Sequence, residues 1–129
     1  MSLDDTGSLT VTLSLSEMIT TPINIACQQL DITQRAARFY EEKGLISSVR
    51  MWSGRTYTRE QYNRLAIIGR CRRAGLPLAD IPAALAVYEG SETNFHVKRA
   101  MIGKLEKQLD RLVAQIDALK CEIAHLESL

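Results

Sequence analysis

From residue 102 onward the chain places an apolar residue at alternating intervals of three and four: Ile102, Leu105, Leu109, Leu112, Ile116, Leu119, Ile123 and Leu126. This is a heptad repeat whose a and d positions hold only Ile and Leu. On a helix these residues form one narrow stripe with Lys, Glu and Gln around it, and a small domain offers no surface long enough to cover it. The expected solution is pairing with a second helix. At roughly 1.5 to 3 kcal/mol gross per buried Leu or Ile, two copies of the stripe supply ample driving force for a homodimer; packing back on the chain's own domain is the competing arrangement. The seam leaves strand direction open, and the apolar flanks Met101 and Val113 point to burial beyond a and d.

The rest of the 129 residues suits one small domain. Its charge is uneven. Between residues 33 and 79 stand ten Arg or Lys (Arg35, Arg38, Lys43, Arg50, Arg55, Arg59, Arg64, Arg70, Arg72, Arg73) against three acids (Glu41, Glu42, Glu60), while the remainder holds six basic against twelve acidic residues. A basic block in a chain of net charge +1 attracts a polyanion through one face. No apolar run approaches the roughly 20 residues needed to span a bilayer and the N-terminus lacks a signal-peptide pattern, so the expectation is a cytoplasmic, nucleoid-associated protein without membrane contact. Cys27, Cys71 and Cys121 are odd in number and show no C-x-x-C spacing, which predicts tolerated thiols rather than a disulfide or zinc framework.

The element pattern is mainly α. Residues 1–21, rich in Ser and Thr with Leu9, Val11, Leu13 and Leu15 alternating, read as a flexible arm with room for an edge strand. A domain over 22–90 follows. Pro22 opens a helix with Ile23, Ala26, Cys27 and Leu30 on one face; Thr33 caps a second, which Gly44 stops. The tight turn between them makes a helix-turn-helix. The stretch "SSVRMWSGRT" has a Ser53-Gly54 turn between two extendable pieces and reads as a β-hairpin, or wing. Thr58 and Gln61 form a capping box for a third helix closed by Gly75. Asp80 is the expected N-cap of a fourth, with Pro82 in its first turn, ending at Gly90. Residues 91–96 read as a linker and 97–129 as the dimerisation coiled coil.

Catalysis has little support. Glu41 and Glu42, adjacent on a helix, point about 100° apart and do not converge on one atom; there is no G-x-S-x-G, phosphate loop or dinucleotide fingerprint. No cofactor or metal is called for. Nucleic-acid recognition accounts for more residues. With Thr33 as cap, Gln34, Arg35 and Arg38 project from the first turns of the second helix, where Gln suits adenine and Arg suits guanine in the major groove. Arg50 and Arg55 are placed to meet backbone or minor groove from the wing. The hydroxyls of Tyr40 and Tyr57 are able to reach phosphate, with core packing as the alternative for each, whereas Phe39, Ala36 and Leu45 are expected in the core. Arg64 is counted with the DNA-facing residues, and Arg55 or Arg64 is the expected partner that keeps Glu41 and Glu42 off a polyanion.

The run "RFYEEKGLI" at 38–46, the wing end Arg55-x-Tyr57, the segment around "GLPLADI" and the C-terminal coiled coil together resemble the MerR family of bacterial transcription regulators, over residues 23 to about 126. The resemblance implies an antiparallel homodimer with winged helix-turn-helix domains at its two ends, binding a pseudo-palindromic promoter site in double-stranded DNA and distorting it, with RNA polymerase nearby. It places Thr33, Gln34 and Arg35 at base-reading or adjacent positions, Arg38 and Tyr40 at the backbone, and Arg55 in the wing. Departures are a shortened wing that lacks the aromatic before Arg55, and Pro77 and Pro82 near the fourth helix. Phe95 and His96 stand at the coil start where metal-sensing members carry cysteine, so metal sensing is not expected, nor is the ligand domain of drug-sensing members. Two rival readings stand beside this one: an architectural or excisionase-like DNA-bending protein, and a coiled-coil interaction module whose basic domain binds protein.

Overall fold

The computed structural model describes residues 20–90 and 94–129; the alternating Leu9-to-Leu15 stretch lies outside them. The chain forms two compact units, one ending at Arg70 and the other beginning at Cys71.

The first unit contains β1 (Thr20–Pro22), α1 (Ile23–Leu30), α2 (Gln34–Glu42), β2 (Val49–Met51), β3 (Gly54–Thr58) and most of α3 (Arg59–Arg73). Pro22 ends β1 and opens α1, its φ of −56° suiting the transition. Asp31, with φ +55°, reverses the chain while the Ile32 N–H donates back to the Cys27 carbonyl. Thr33 then caps α2 as expected: its Oγ1 accepts from the Ala36 N–H at 3.0 Å. At the other end Gly44 takes φ +75°, its N–H donating to Glu41 O and that of Leu45 to Tyr40 O. This is a Schellman closure, and Leu45 after it is buried.

The wing is a hairpin, with Arg50 opposite Arg55 and Met51 opposite Gly54. It is joined by an edge strand at the end of the arm, past the Leu9-to-Leu15 alternation that left room for one. β1 pairs antiparallel with β3, Thr21 opposite Tyr57, giving the sheet order β1-β3-β2. β3 thereby becomes the central strand, and Thr56 and Tyr57 are buried. Opening α3, Thr58 Oγ1 accepts from the Gln61 N–H at 3.4 Å, half of a capping box. The other half is diverted, because Gln61 Oε1 accepts from the Ser47 N–H at 2.8 Å, fastening the segment between α2 and the wing to α3. Ala26, Cys27, Ala37, Tyr40, Ile46, Tyr57, Leu65 and Ile68 form the core.

In the second unit α3 closes on Gly75 (φ +90°), with the Leu76 N–H donating to Cys71 O. A 3-10 turn (Leu78–Asp80) leads into α4 (Ile81–Tyr88), and α5 (Asn94–Glu127) runs for 34 residues. Asp80 holds the N-cap position, but its side chain makes no cap; both carboxylate oxygens accept from Lys104 Nζ at 2.9 Å instead. Leu76, Ile81, Ala84 and Leu85 are buried. α5 takes in Phe95 and His96, which periodicity left in the linker because Lys98 occupies the seam position between Phe95 and Ile102. It packs on α4, and from Leu109 to the end every residue is exposed.

Candidate nucleic-acid interface

Thr33, Gln34, Arg35 and Arg38 are all exposed. The cap at Thr33 sets their phase, because it decides where the helical turn begins. A groove of about 320 Å³ is lined by Gln34, Arg38 and Glu41 of α2, by Ser53, Gly54 and Arg55 of the hairpin, and by Pro22, Ile23 and Asn24. Helix and wing thus share a concave surface carrying two guanidinium groups, the amides of Asn24 and Gln34, and the Glu41 carboxylate.

Glu41 joins the two sides. Its Oε1 accepts from Ser48 Oγ at 2.8 Å and its Oε2 from the Tyr57 hydroxyl at 2.8 Å. Arg55 Nη2 stands 3.7 Å from Oε1 while Arg55 Nε donates to Ser48 Oγ at 3.0 Å. The carboxylate is largely covered and the Arg55 side chain half exposed. The acid's charge is therefore balanced from within, and the arginine keeps donors for an outside ligand. Arg55 is the partner expected for Glu41; Glu42 remains an exposed side chain. Ser48, which completes the ring, carried no sequence signal beyond its position before the hairpin. Burial first, and then the Glu41 hydrogen bond, hold the Tyr57 phenol protonated far above its ordinary range. Burial chiefly, with the Glu41 charge second, raises the Cys27 thiol.

Three expectations need correcting. Tyr57 is fully buried, and with its hydroxyl held by Glu41 it is a core residue and not a phosphate contact. Tyr40 and Phe39 exchange places: Tyr40 is 8% exposed and Phe39 41%. The buried face of α2 runs through Ala37 and Tyr40, whereas Ala36 is only half-buried; Phe39 lies outward with Lys43 Nζ 5.3 Å from its ring centre. Arg64 is half-buried and its Nε donates to Leu45 O at 3.0 Å, so it braces the end of α2 instead of standing with the surface arginines. Among the described residues no group of three or more His, Cys, Asp and Glu is placed to hold a metal ion, and no helix is long and apolar enough to cross a membrane.

A capped, exposed basic helix set against an arginine-bearing hairpin defines a winged helix-turn-helix module of the DNA-binding class. Comparison with known proteins makes the class specific. The family model described as MerR HTH family regulatory protein matches residues 22–86, and that described as MerR, DNA binding matches residues 62–129. The HTH-type transcriptional regulator CueR of Vibrio cholerae is 32% identical over 94 residues, covering 71% of this chain and 68% of that protein. Two crystal structures share the fold. A putative MerR family transcriptional regulator from Listeria monocytogenes aligns with TM-score 0.64 and 24% identity over 80% of this chain and 83% of that one. HiNmlR, a MerR family regulator lacking the sensor domain and bound to promoter DNA, aligns with TM-score 0.60 and 22% identity over 77% and 76%. The chain belongs to the MerR family and is a DNA-binding transcription regulator.

Proposed function

We propose that the protein acts as a homodimer, two copies pairing antiparallel through the α5 seam, and that it binds a pseudo-palindromic promoter site and distorts the duplex to control transcription by a nearby RNA polymerase. The observation that carries this reading is the shared groove between Gln34 and Arg38 on α2 and Arg55 on the hairpin, because one rigid DNA-facing surface is thereby supplied with both a base-reading helix and a flanking clamp. Thr33, Gln34 and Arg35 read bases or hold the adjacent phosphate, Arg38 holds the backbone, and Arg50 and Arg55 grip the flank. Pairing is supported by the seam from Leu105 to Leu126, exposed throughout in a single chain. A dimer presents two such DNA-facing surfaces to one duplex, so deformation energy enters both specificity and regulation.

Binding to the protein's own upstream region, compared with random duplex across a salt series, tests this. Tighter binding to the upstream region, with affinity falling as salt rises, is the expected result. Equal affinity for both sequences would leave an architectural DNA-bending protein, and absence of salt-dependent binding would remove DNA altogether. Arg35→Ala should relax base preference, and Arg38→Ala should weaken all sequences alike.

A further inference from the structure

Trp52 is the single tryptophan of the chain, and its side chain is entirely exposed, at 102%. It sits with Ser53 in the turn of the hairpin, where Met51 pairs with Gly54. Turn chemistry does not call for it. Gly54, at φ +120°, supplies the unusual backbone geometry, and Asp31 is the one non-glycine residue with positive φ among the described residues. Nor does packing call for it: aromatic side chains of this size ordinarily bury most of their 150 to 250 Å² or so. Trp52 neither fills a core nor shapes its turn.

Its surroundings indicate what it meets. From residue 43 to 59 the sequence holds four basic residues, Lys43, Arg50, Arg55 and Arg59, and no acid. Arg50 and Arg55 face each other across the hairpin, and the neighbours Ser53 and Gly54 line the groove shared with Gln34 and Arg38. The exposed indole therefore continues a cationic surface already assigned to a polyanion. A flat aromatic ring at the tip of a hairpin that pairs Arg50 with Arg55 suits a minor groove roughly 6 Å wide, where apolar wedges are an established way of prising base steps apart.

We propose that Trp52 is a wing-tip wedge that enters the minor groove of the duplex, flanking the bases read by α2, and supplies affinity that does not depend on charge. This rests on the DNA-binding reading above. Because the indole is unique, its fluorescence reports the contact directly in the full-length protein. The probe is a duplex selected from a randomised pool by the wild-type chain, with complex formation followed separately by anisotropy of a label on the DNA. The expected results are quenched indole emission in the complex and acrylamide quenching reduced about threefold or more. Trp52→Ala should bind on the order of tenfold more weakly, within the range of aromatic–base contacts, with an unchanged slope of log K against log salt because the indole releases no counterion; Trp52→Phe should recover most of the loss. Hydroxyl-radical footprinting, which reads minor-groove sugars, should lose flanking protection in Trp52→Ala alone. A complex that forms while the indole stays as accessible as in free protein, or an alanine variant that binds as tightly as wild type with the same footprint, overturns the wedge and leaves a protein partner for this tip. Failure of the wild type to select any duplex overturns the DNA-binding reading and the wedge with it.

Discussion

The winged head and the distal part of α5 use the same kinds of apolar residue and treat them in opposite ways. In the head, Ala26, Tyr57, Leu65 and Ile68 are fully buried, whereas the seam residues from Leu105 to Leu126 are 37% to 60% exposed. The difference lies in the geometry of supply. The head folds three short helices and a three-stranded sheet around one centre, so each element covers another. α5 beyond Gln108 is a single ridge that no other described residue covers. Stability of the head is thus a property of one molecule, while order along the seam, on the proposed pairing, follows protein concentration by mass action.

The sharpest way to break this contrast is Leu112→Lys. Placing a charge on each strand at the middle of the paired seam should abolish the dimer in sedimentation while leaving the far-UV signature of the head; a variant that stays dimeric would show the seam to be misassigned. Within the head, Glu41→Ala should cost about 3 kcal/mol in denaturant unfolding, since it strands the buried Tyr57 hydroxyl and unties Ser48 and Arg55 together. Tyr57→Phe removes one of those bonds and should cost about 1.5 kcal/mol. Its pH dependence has a definite sign. The folded phenol is raised above its unfolded value of about 10, so its contribution is fully present below that pH and is lost as pH climbs toward the folded value. The stability gap between wild type and Tyr57→Phe should be constant at neutral pH and narrow above about pH 10. Gly44→Ala, at φ +75°, should cost about 1 kcal/mol through backbone strain alone, with open space around the added methyl. Trp52→Ala should leave thermal stability unchanged, which separates its proposed role in binding from any role in folding.

Local signals in the sequence identify much of the fold: the Thr33 cap, the Gly44 and Gly75 stops, the hairpin and the long apolar seam are each written within a few residues. What escapes local reading is settled by partners far along the chain. Phe39 and Tyr40 are neighbours about 100° apart on α2, and either suits a core until the opposing surface is known. Tyr57 is withdrawn because Thr20 and Thr21 pair beside it, making an inner strand of what otherwise looks like a free hairpin. Gln61 and Asp80 carry the right residues for caps, yet Ser47 and Lys104 claim their oxygens. The exposed arginines and Gln34 were legible as a candidate surface because a capped helix presents its first turns predictably. Arg64 was not, since its choice of the Leu45 carbonyl depends on how α3 lies across the end of α2.

The Glu41 ring has a consequence for how such a regulator changes over generations. Glu41, Ser48, Arg55 and Tyr57 tie α2 to the wing, while Gln34, Arg35 and Trp52 stand outside that ring as exposed side chains. If those outer residues carry the proposed base and groove contacts, target preference is free to drift by exchanging them one at a time, each trial leaving the caliper between helix and wing at the same setting. On that reading, new operators come within reach while the hydrogen bonds that hold the fold stay intact.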